Sequence, residues 1–303
     1  MQRFSENDAK YAYSAEHESI GTVQPGERFE VESVEGFSGY FGAPSDFTPE
    51  LYAEAEAHKW AVTGPISVAG AKANGAVAVT IHDVEVVTPG VVVYGAYTAS
   101  DPLEWWDDES ACDLFPAQGG VLRFDDRTTL PTRPLIGCLA VAPASAEGTV
   151  HAKLQGRYGG NLDCRELCAG ATLILPVAHD GGGLYFGDCK ALMGDGEIVG
   201  PPEVGAVVSA SAEPRERPLS LEWPRLETSE CLTTLVSGKP LEWSARQAFR
   251  ELLNWVTDDF DLPRSKAALL LAMVAQTGIC QISNTDYTAY CTMPRDVLQP
   301  YAR

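Results

Sequence analysis

Residues 156–197, GRYGGNLDCRELCAGATLILPVAHDGGGLYFGDCKALMGDGE, constrain this chain more than any other stretch. Three glycine-flanked acidic clusters fall inside it: Gly159-Gly160-Asn161-Leu162-Asp163, Gly187-Asp188 and Gly194-Asp195-Gly196-Glu197. Glycine lets backbone approach backbone, or a ligand, where a Cβ would collide. Carboxylates held on such turns suit cation binding or proton transfer. Taken singly, each cluster also reads as a surface turn, since Gly, Asn and Asp favour turns. Three of them around one apolar strand pair point to a site. That pair covers residues 171–177 and 183–187, separated by a turn rich in glycine from His179 onward.

The first two thirds of the chain read as strands. Residues 28–34 and 76–87 alternate apolar and polar side chains over part of their length, the pattern of half-buried strands. Strand ends then carry the acidic clusters, where loops can reach a common cleft. Thr48 and Pro49 mark the start of a short helix. The acidic segment 101–113 contains Trp105-Trp106, which either covers a pocket or folds onto the surface. Composition changes after Ala210. Ser244 is placed to cap a helix running to Asp258, with Ala245, Ala248, Phe249, Leu252, Leu253 and Val256 on one apolar face. A second helix is expected through residues 267–276, closed by Gly278. Strands at 279–282 and 287–293 flank a polar turn at Asn284-Thr285-Asp286. The expected architecture is α+β and mainly β. A sandwich or barrel-like body (1–215) carries the acidic clusters, and a smaller α+β lobe follows (216–303).

A chain of 303 residues can bury a substantial core. Its formal charge of −20 works against nucleic acid or anionic lipid as partners. The polar N-terminus lacks a signal-peptide core, and no apolar run is long enough to span a bilayer, so a cytoplasmic location is the expectation. Eight cysteines are scattered without a Cys-x-x-Cys pair, which favours free buried thiols over a zinc knuckle. Cys189 stands apart because it adjoins Lys190, whose ammonium would favour a thiolate. No nucleophile elbow and no P-loop is present.

The order of the motifs resembles the acetamidase/formamidase family of amide hydrolases. Gly159-Gly160-Asn161-Leu162-Asp163 is similar to its GGNMD segment, and Pro176-Val177 to its strand ending in PV. Gly187-Asp188-Cys189-Lys190-Ala191 is similar to GD-x-H-A, and Gly194-Asp195-Gly196-Glu197 to GDGE. Upstream, Val23-Gln24-Pro25-Gly26-Glu27, Thr63-Gly64-Pro65-Ile66 and Arg133-Pro134-Leu135-Ile136-Gly137 resemble further family elements. The resemblance implies hydrolysis of a small amide to an acid and ammonia or an amine, in a homodimer. A divalent metal such as zinc or calcium would polarise the carbonyl and activate water. Asp163, Asp188 and Glu197 are then the expected metal ligands. Glu197 is also the expected general base, and Asn161 orients the carbonyl or fixes its turn. Glu35, Asp195 and His179 are secondary candidates.

Lys190 stands where the resemblance puts a histidine. An ammonium repels a metal ion that an imidazole would bind. Three readings stay open: Lys190 substitutes for the metal's charge, acts as an amine of lowered pKa, or marks loss of the ancestral activity. The corresponding functions are an amidase of the family type, a metal-independent C–N reaction or cyclisation, and a small-molecule binding protein. Carboxylate neighbours would favour the charged amine, and so the charge substitute.

Overall fold

A computed structural model describes residues 1–95 and 110–302; Trp105-Trp106 lies outside the described residues. Two large sheets dominate. The first has nine strands, in the order Gln2–Phe4, Arg28–Ser33, Ala206–Arg215, Ala76–Val86, Thr172–Pro176, Arg225–Glu227, Cys231–Gly238, Tyr287–Pro294 and Gln276–Gln281. It runs without interruption past residue 215, because Thr172–Pro176 pairs with Arg225–Glu227. The second sheet is built around Leu184–Lys190, which lies antiparallel between Leu135–Ala140 and Val62–Val68. Gly159–Asn161 and Gln155–Gly156 extend it on one side; Glu203–Val204, Gly90–Gly95 and Ser110–Phe115 extend it from Leu184–Lys190 on the other. The fold is mainly β with several sheets, and no sheet closes into a barrel among the described residues.

The sheets face each other through one apolar core. Val77, Val79, Ile81, Leu173 and Leu175 come from the first sheet, and Ile136, Leu139, Leu184 and Phe186 from the second. Phe29 and Phe186 bridge them edge to face, with ring centroids 6.0 Å apart. Arg28–Ser33 buries alternate residues Phe29, Val31 and Ser33, as its pattern predicts. Leu184–Lys190 is buried at every position. A central strand covered on both faces is ordinarily all apolar. Here it ends in Asp188 and Lys190, whose charges must therefore be paired.

Three α-helices decorate the sheets. In α1 (Pro49–Ala57), Thr48 accepts the backbone N–H of Leu51, so the expected cap forms. α2 (Leu241–Asp259) packs Ala248, Leu252, Trp255 and Val256 onto Val236, Cys291 and Met293 of the first sheet. It starts before Ser244, with Pro240 in the capping position. Ser244 instead donates to the carbonyl of Gly238 from inside the helix. α3 (Arg264–Val274) ends before Gly278, which lies in the strand Gln276–Gln281. The Thr277-Gly278-Ile279-Cys280 run is poor in helix formers, and pairing with Tyr287–Pro294 takes it into the sheet from Gln276 onward. No described helix is long and apolar enough to cross a membrane.

Candidate active site

Lys190 is 1% exposed, and its Nζ is the centre of a buried charge cluster. Asp188 Oδ2 lies 2.7 Å away, Asp163 Oδ1 3.0 Å, Glu203 Oε2 3.6 Å and Glu197 Oε1 3.9 Å. The carbonyl of Asp188 is a further acceptor at 3.4 Å. The expected set Asp163, Asp188, Lys190 and Glu197 thus converges. Glu203, which sequence reading missed, completes it.

Local backbone explains the convergence. Asp163, Asp188 and Glu197 all have left-handed backbone, with φ of 45°, 56° and 39°. Such conformations cost non-glycine residues about 1–3 kcal/mol each and persist where the surroundings enforce them. The N–H groups of Leu162 and Asp163 both donate to the carbonyl of Gly137, which pins the Asp163 turn to the neighbouring strand. The GDGE turn is held by the other sheet: Gly196 N donates to the carbonyls of Ile279 and Cys280, and Ile282 N donates to Gly196. That docking brings the 283–286 turn over the site. Ser283 Oγ donates to Glu197 Oε2 at 3.3 Å, and Asn284 Nδ2 to Asp163 Oδ2 at 3.4 Å.

Gly137 is a glycine because of this cluster. A Cβ there would meet Asp188 Oδ2 at 2.5 Å and Asp163 Oδ1 at 2.7 Å. Gly137→Ala should therefore destabilise the protein by about 1–3 kcal/mol, the usual cost of overpacking. Thermal melting checks this; an unchanged midpoint would show that the cluster relaxes freely.

The electrostatics divide the four carboxyls. Burial pushes Glu197 and Glu203 well above the usual carboxylate range, and their acidic neighbours push them further. Burial also raises Asp163, and the Lys190 ammonium only partly opposes it. Burial would raise Asp188 too, but Lys190 and a hydrogen bond from Glu203 take it below its ordinary value. Glu203 lies against Asp188 and Glu197 against Asp163, carboxyl to carboxyl, an arrangement that favours a proton within each pair. Lys59 adds a second ammonium: burial works against its charge, but Glu203, Glu56 and Asp188 raise its pKa. Lys190 itself is held well above its ordinary value despite its burial, mainly by Asp163 and Asp188. It is a permanent cation, and the reading as an amine of lowered pKa is set aside.

The cluster opens into a cavity of about 50 Å³. Asp188, Lys190, Glu197 and Glu203 line it together with Lys59, Trp60, Asn161, Ser283 and Asn284. Asn161 has both ends of its amide engaged: Oδ1 accepts from Cys138 Sγ at 3.3 Å and Nδ2 donates to the Lys153 carbonyl at 3.4 Å. Of the remaining candidates, Glu35 lies near enough to Asp188 and Lys59 to feel their charges, and the others lie elsewhere. Glu35 uses both oxygens to cap its own turn, accepting from Phe37 N and Gly39 N. Asp195 is on the surface, paired with Arg165 and accepting from Tyr290. His179 hydrogen-bonds the Pro143 carbonyl through Nε2 and lines a separate cavity. Cys189 packs in the apolar core, where burial pushes its thiol up to about 12 despite the lysine next to it.

Residues 128–213 match the sequence profile of the Acetamidase/Formamidase family. No curated protein gives a significant match. Solved structures resemble the chain over its whole length. An acetamidase from Bacillus halodurans is 25% identical over 99% of both chains, with a TM-score of 0.91. A predicted acetamidase/formamidase from Thermoanaerobacter tengcongensis is 28% identical over 99% of this chain and 97% of that one, at 0.89. An acetamidase from Yersinia enterocolitica is 25% identical over 98% and 92%, at 0.87. Residues 128–213 thus carry a stretch of that family's profile, and the whole chain shares the fold of these acetamidases.

In this chain the carboxylates do not fit the expected zinc or calcium ion. Among the described residues, no group of three or more His, Cys, Asp or Glu side chains is arranged to hold a metal. The physical reason is Lys190: its ammonium lies where Asp163 and Asp188 converge, at hydrogen-bond distance from both. A dication added beside it would meet a fixed like charge.

Proposed function

We propose that this protein is an amidase of the acetamidase/formamidase type that hydrolyses a small linear amide to a carboxylic acid and ammonia or an amine, with Lys190 as the fixed cation of a metal-independent site. The carrying observation is the buried Lys190 cluster, with its paired carboxyls, opening into a cavity of about 50 Å³. A cavity volume of this kind needs about 10–15 Å³ to hold one water, so such a space suits a ligand of only a few heavy atoms. Neighbouring carboxyls whose environments push their pKa values apart supply an acid and a base. Asp188, held ionised beside Lys190, takes a proton from water as the water oxygen bonds to the carbonyl carbon. Glu197, held protonated, gives its proton to the nitrogen as the C–N bond breaks. Lys190 keeps Asp188 ionised throughout, and Asn161 braces the strand beside it.

The purified protein should release ammonia from one or more short linear amides, and chelation should leave that activity unchanged. The rate should fall at acid pH below the ordinary aspartate range, where Asp188 becomes protonated. It should fall at alkaline pH above the ordinary carboxyl range, where Glu197 loses its proton. Folded protein that releases nothing from a broad amide panel would refute the reading. Activity abolished by chelation and restored by metal would refute its metal-independent part.

A further inference from the structure

Amide hydrolysis needs a donor for the oxygen on which negative charge develops. Lys190 cannot be that donor. An ammonium has three N–H bonds, and those of Lys190 face Asp188 Oδ2, Asp163 Oδ1, the Asp188 carbonyl and Glu203. Asn161 has its Oδ1 and one of its two N–H bonds engaged, and what remains is a single neutral donor.

Lys59 differs. It lines the same cavity, with its side chain 14% exposed. Its Nζ is 3.8 Å from Glu56 Oε1, beyond hydrogen-bond distance, and donates no hydrogen bond among the described residues. Instead it lies over the rings of Phe37 at 4.5 Å and Trp60 at 4.9 Å. Aromatic faces hold an ammonium by charge–quadrupole attraction without occupying its N–H bonds. Trp60 is itself in left-handed backbone, with φ of 63°, a conformation rare for a bulky side chain. The chain thus accepts local strain to hold a charged donor, with its hydrogens free, at the wall of the cavity.

We infer that Lys59 is a catalytic residue that binds the amide carbonyl oxygen and stabilises the oxyanion of the tetrahedral intermediate. The role rests on the amidase reading above. As the water oxygen bonds to carbon, the carbonyl π pair moves onto oxygen and meets the Lys59 ammonium. When the C–N bond breaks, that pair re-forms the carbonyl. Lys59 gives up no proton; water supplies the new oxygen and Glu197 protonates the leaving nitrogen.

Two readouts test the inference: steady-state kinetics on an amide substrate, and binding of methylboronic acid, which adds water to become a tetrahedral anion. Lys59→Met should lower kcat about 100- to 1000-fold, the usual loss when one oxyanion donor is removed. KM should change far less, because the interaction strengthens only in the transition state. Boronate binding should weaken in parallel, and Lys59→Arg should recover part of both. Thermal melting separates lost fold from lost chemistry, and Lys59→Arg keeps the test open should Lys59→Met fail to fold. A folded Lys59→Met protein with near-normal kcat, or with lowered kcat but unchanged boronate binding, would overturn the role. Wild-type protein inactive on every amide would instead refute the amidase reading. In that case equal boronate binding by wild type and Lys59→Met would overturn the role of Lys59 as well.

Discussion

Lys190→Met should destabilise the protein by about 3–5 kcal/mol, the cost of removing one partner from a buried ion pair. Methionine fills much of the same volume, so the loss is chiefly electrostatic. It leaves Asp163 and Asp188, 1% and 2% exposed, facing Glu197 and Glu203 without the central cation. The deficit should depend on pH in a definite direction. In the variant, Asp163 and Asp188 have lost the ammonium that favours their charged forms, so both take up protons more readily. Lowering the pH toward the carboxyl range should therefore narrow the gap between variant and wild type. Urea unfolding at neutral pH and near pH 5 measures both effects. A variant as stable as wild type at neutral pH would show that the cluster does not depend on Lys190, and the metal-substitute reading would fail.

The wild-type protein carries its own pH signature. Glu197 and Glu203 have folded pKa values raised above those of the unfolded chain. Their contribution is fully present below about pH 4.3, the unfolded glutamate value, and declines as pH rises toward the folded values. Asp188 works oppositely: its depressed value contributes stability above the unfolded aspartate pKa, lost as pH falls through the folded one. The cluster thus opposes its own fold near neutrality while favouring the ionised form of Asp188 and the protonated forms of Glu197 and Glu203 on the cavity. Such a trade is expected of a site kept for chemistry.

The sequence exposed the part of this site that lies on glycine turns. Asp163, Asp188 and Glu197 were legible because the glycines around them mark backbone that must turn tightly. Lys190 was legible because it adjoins one of them. Glu203 had no such mark. It lies in the two-residue strand Glu203–Val204 and reaches Lys190 only through antiparallel pairing with Leu184–Lys190. The nearest signal was remote: a Cβ on Gly36 would meet Glu203 Oε2 at 2.7 Å, so that glycine leaves room for this carboxyl. Lys59 follows the acidic helix α1, where a lone lysine reads as a surface charge. Ser283 and Asn284 read as an ordinary polar turn, and only the docking of Gly196 onto Gln276–Gln281 brings them to the site. Cys189 adjoins Lys190, but adjacent residues on a strand point to opposite faces, so it packs into the core. Asp195 turns outward from the glycine-rich turn to pair with Arg165.

Glu197→Gln should lower kcat about 100- to 10,000-fold, the range for a lost general acid. Glutamine keeps the shape and can still accept the hydroxyl proton of Ser283, so melting should change little compared with Lys190→Met. It cannot release a proton to a leaving nitrogen. The alkaline limb of the pH–rate profile should therefore vanish, because it reports loss of that proton, while the acid limb set by Asp188 should remain. An amide with a better leaving amine, such as formylhydrazine, should lose less rate, since its nitrogen needs less protonation as it departs. That pattern distinguishes a proton donor from a structural carboxyl, which would affect both limbs and both leaving groups alike. A Glu197→Gln protein that kept its alkaline limb would transfer the acid role to Glu203, the other protonated carboxyl on the cavity wall.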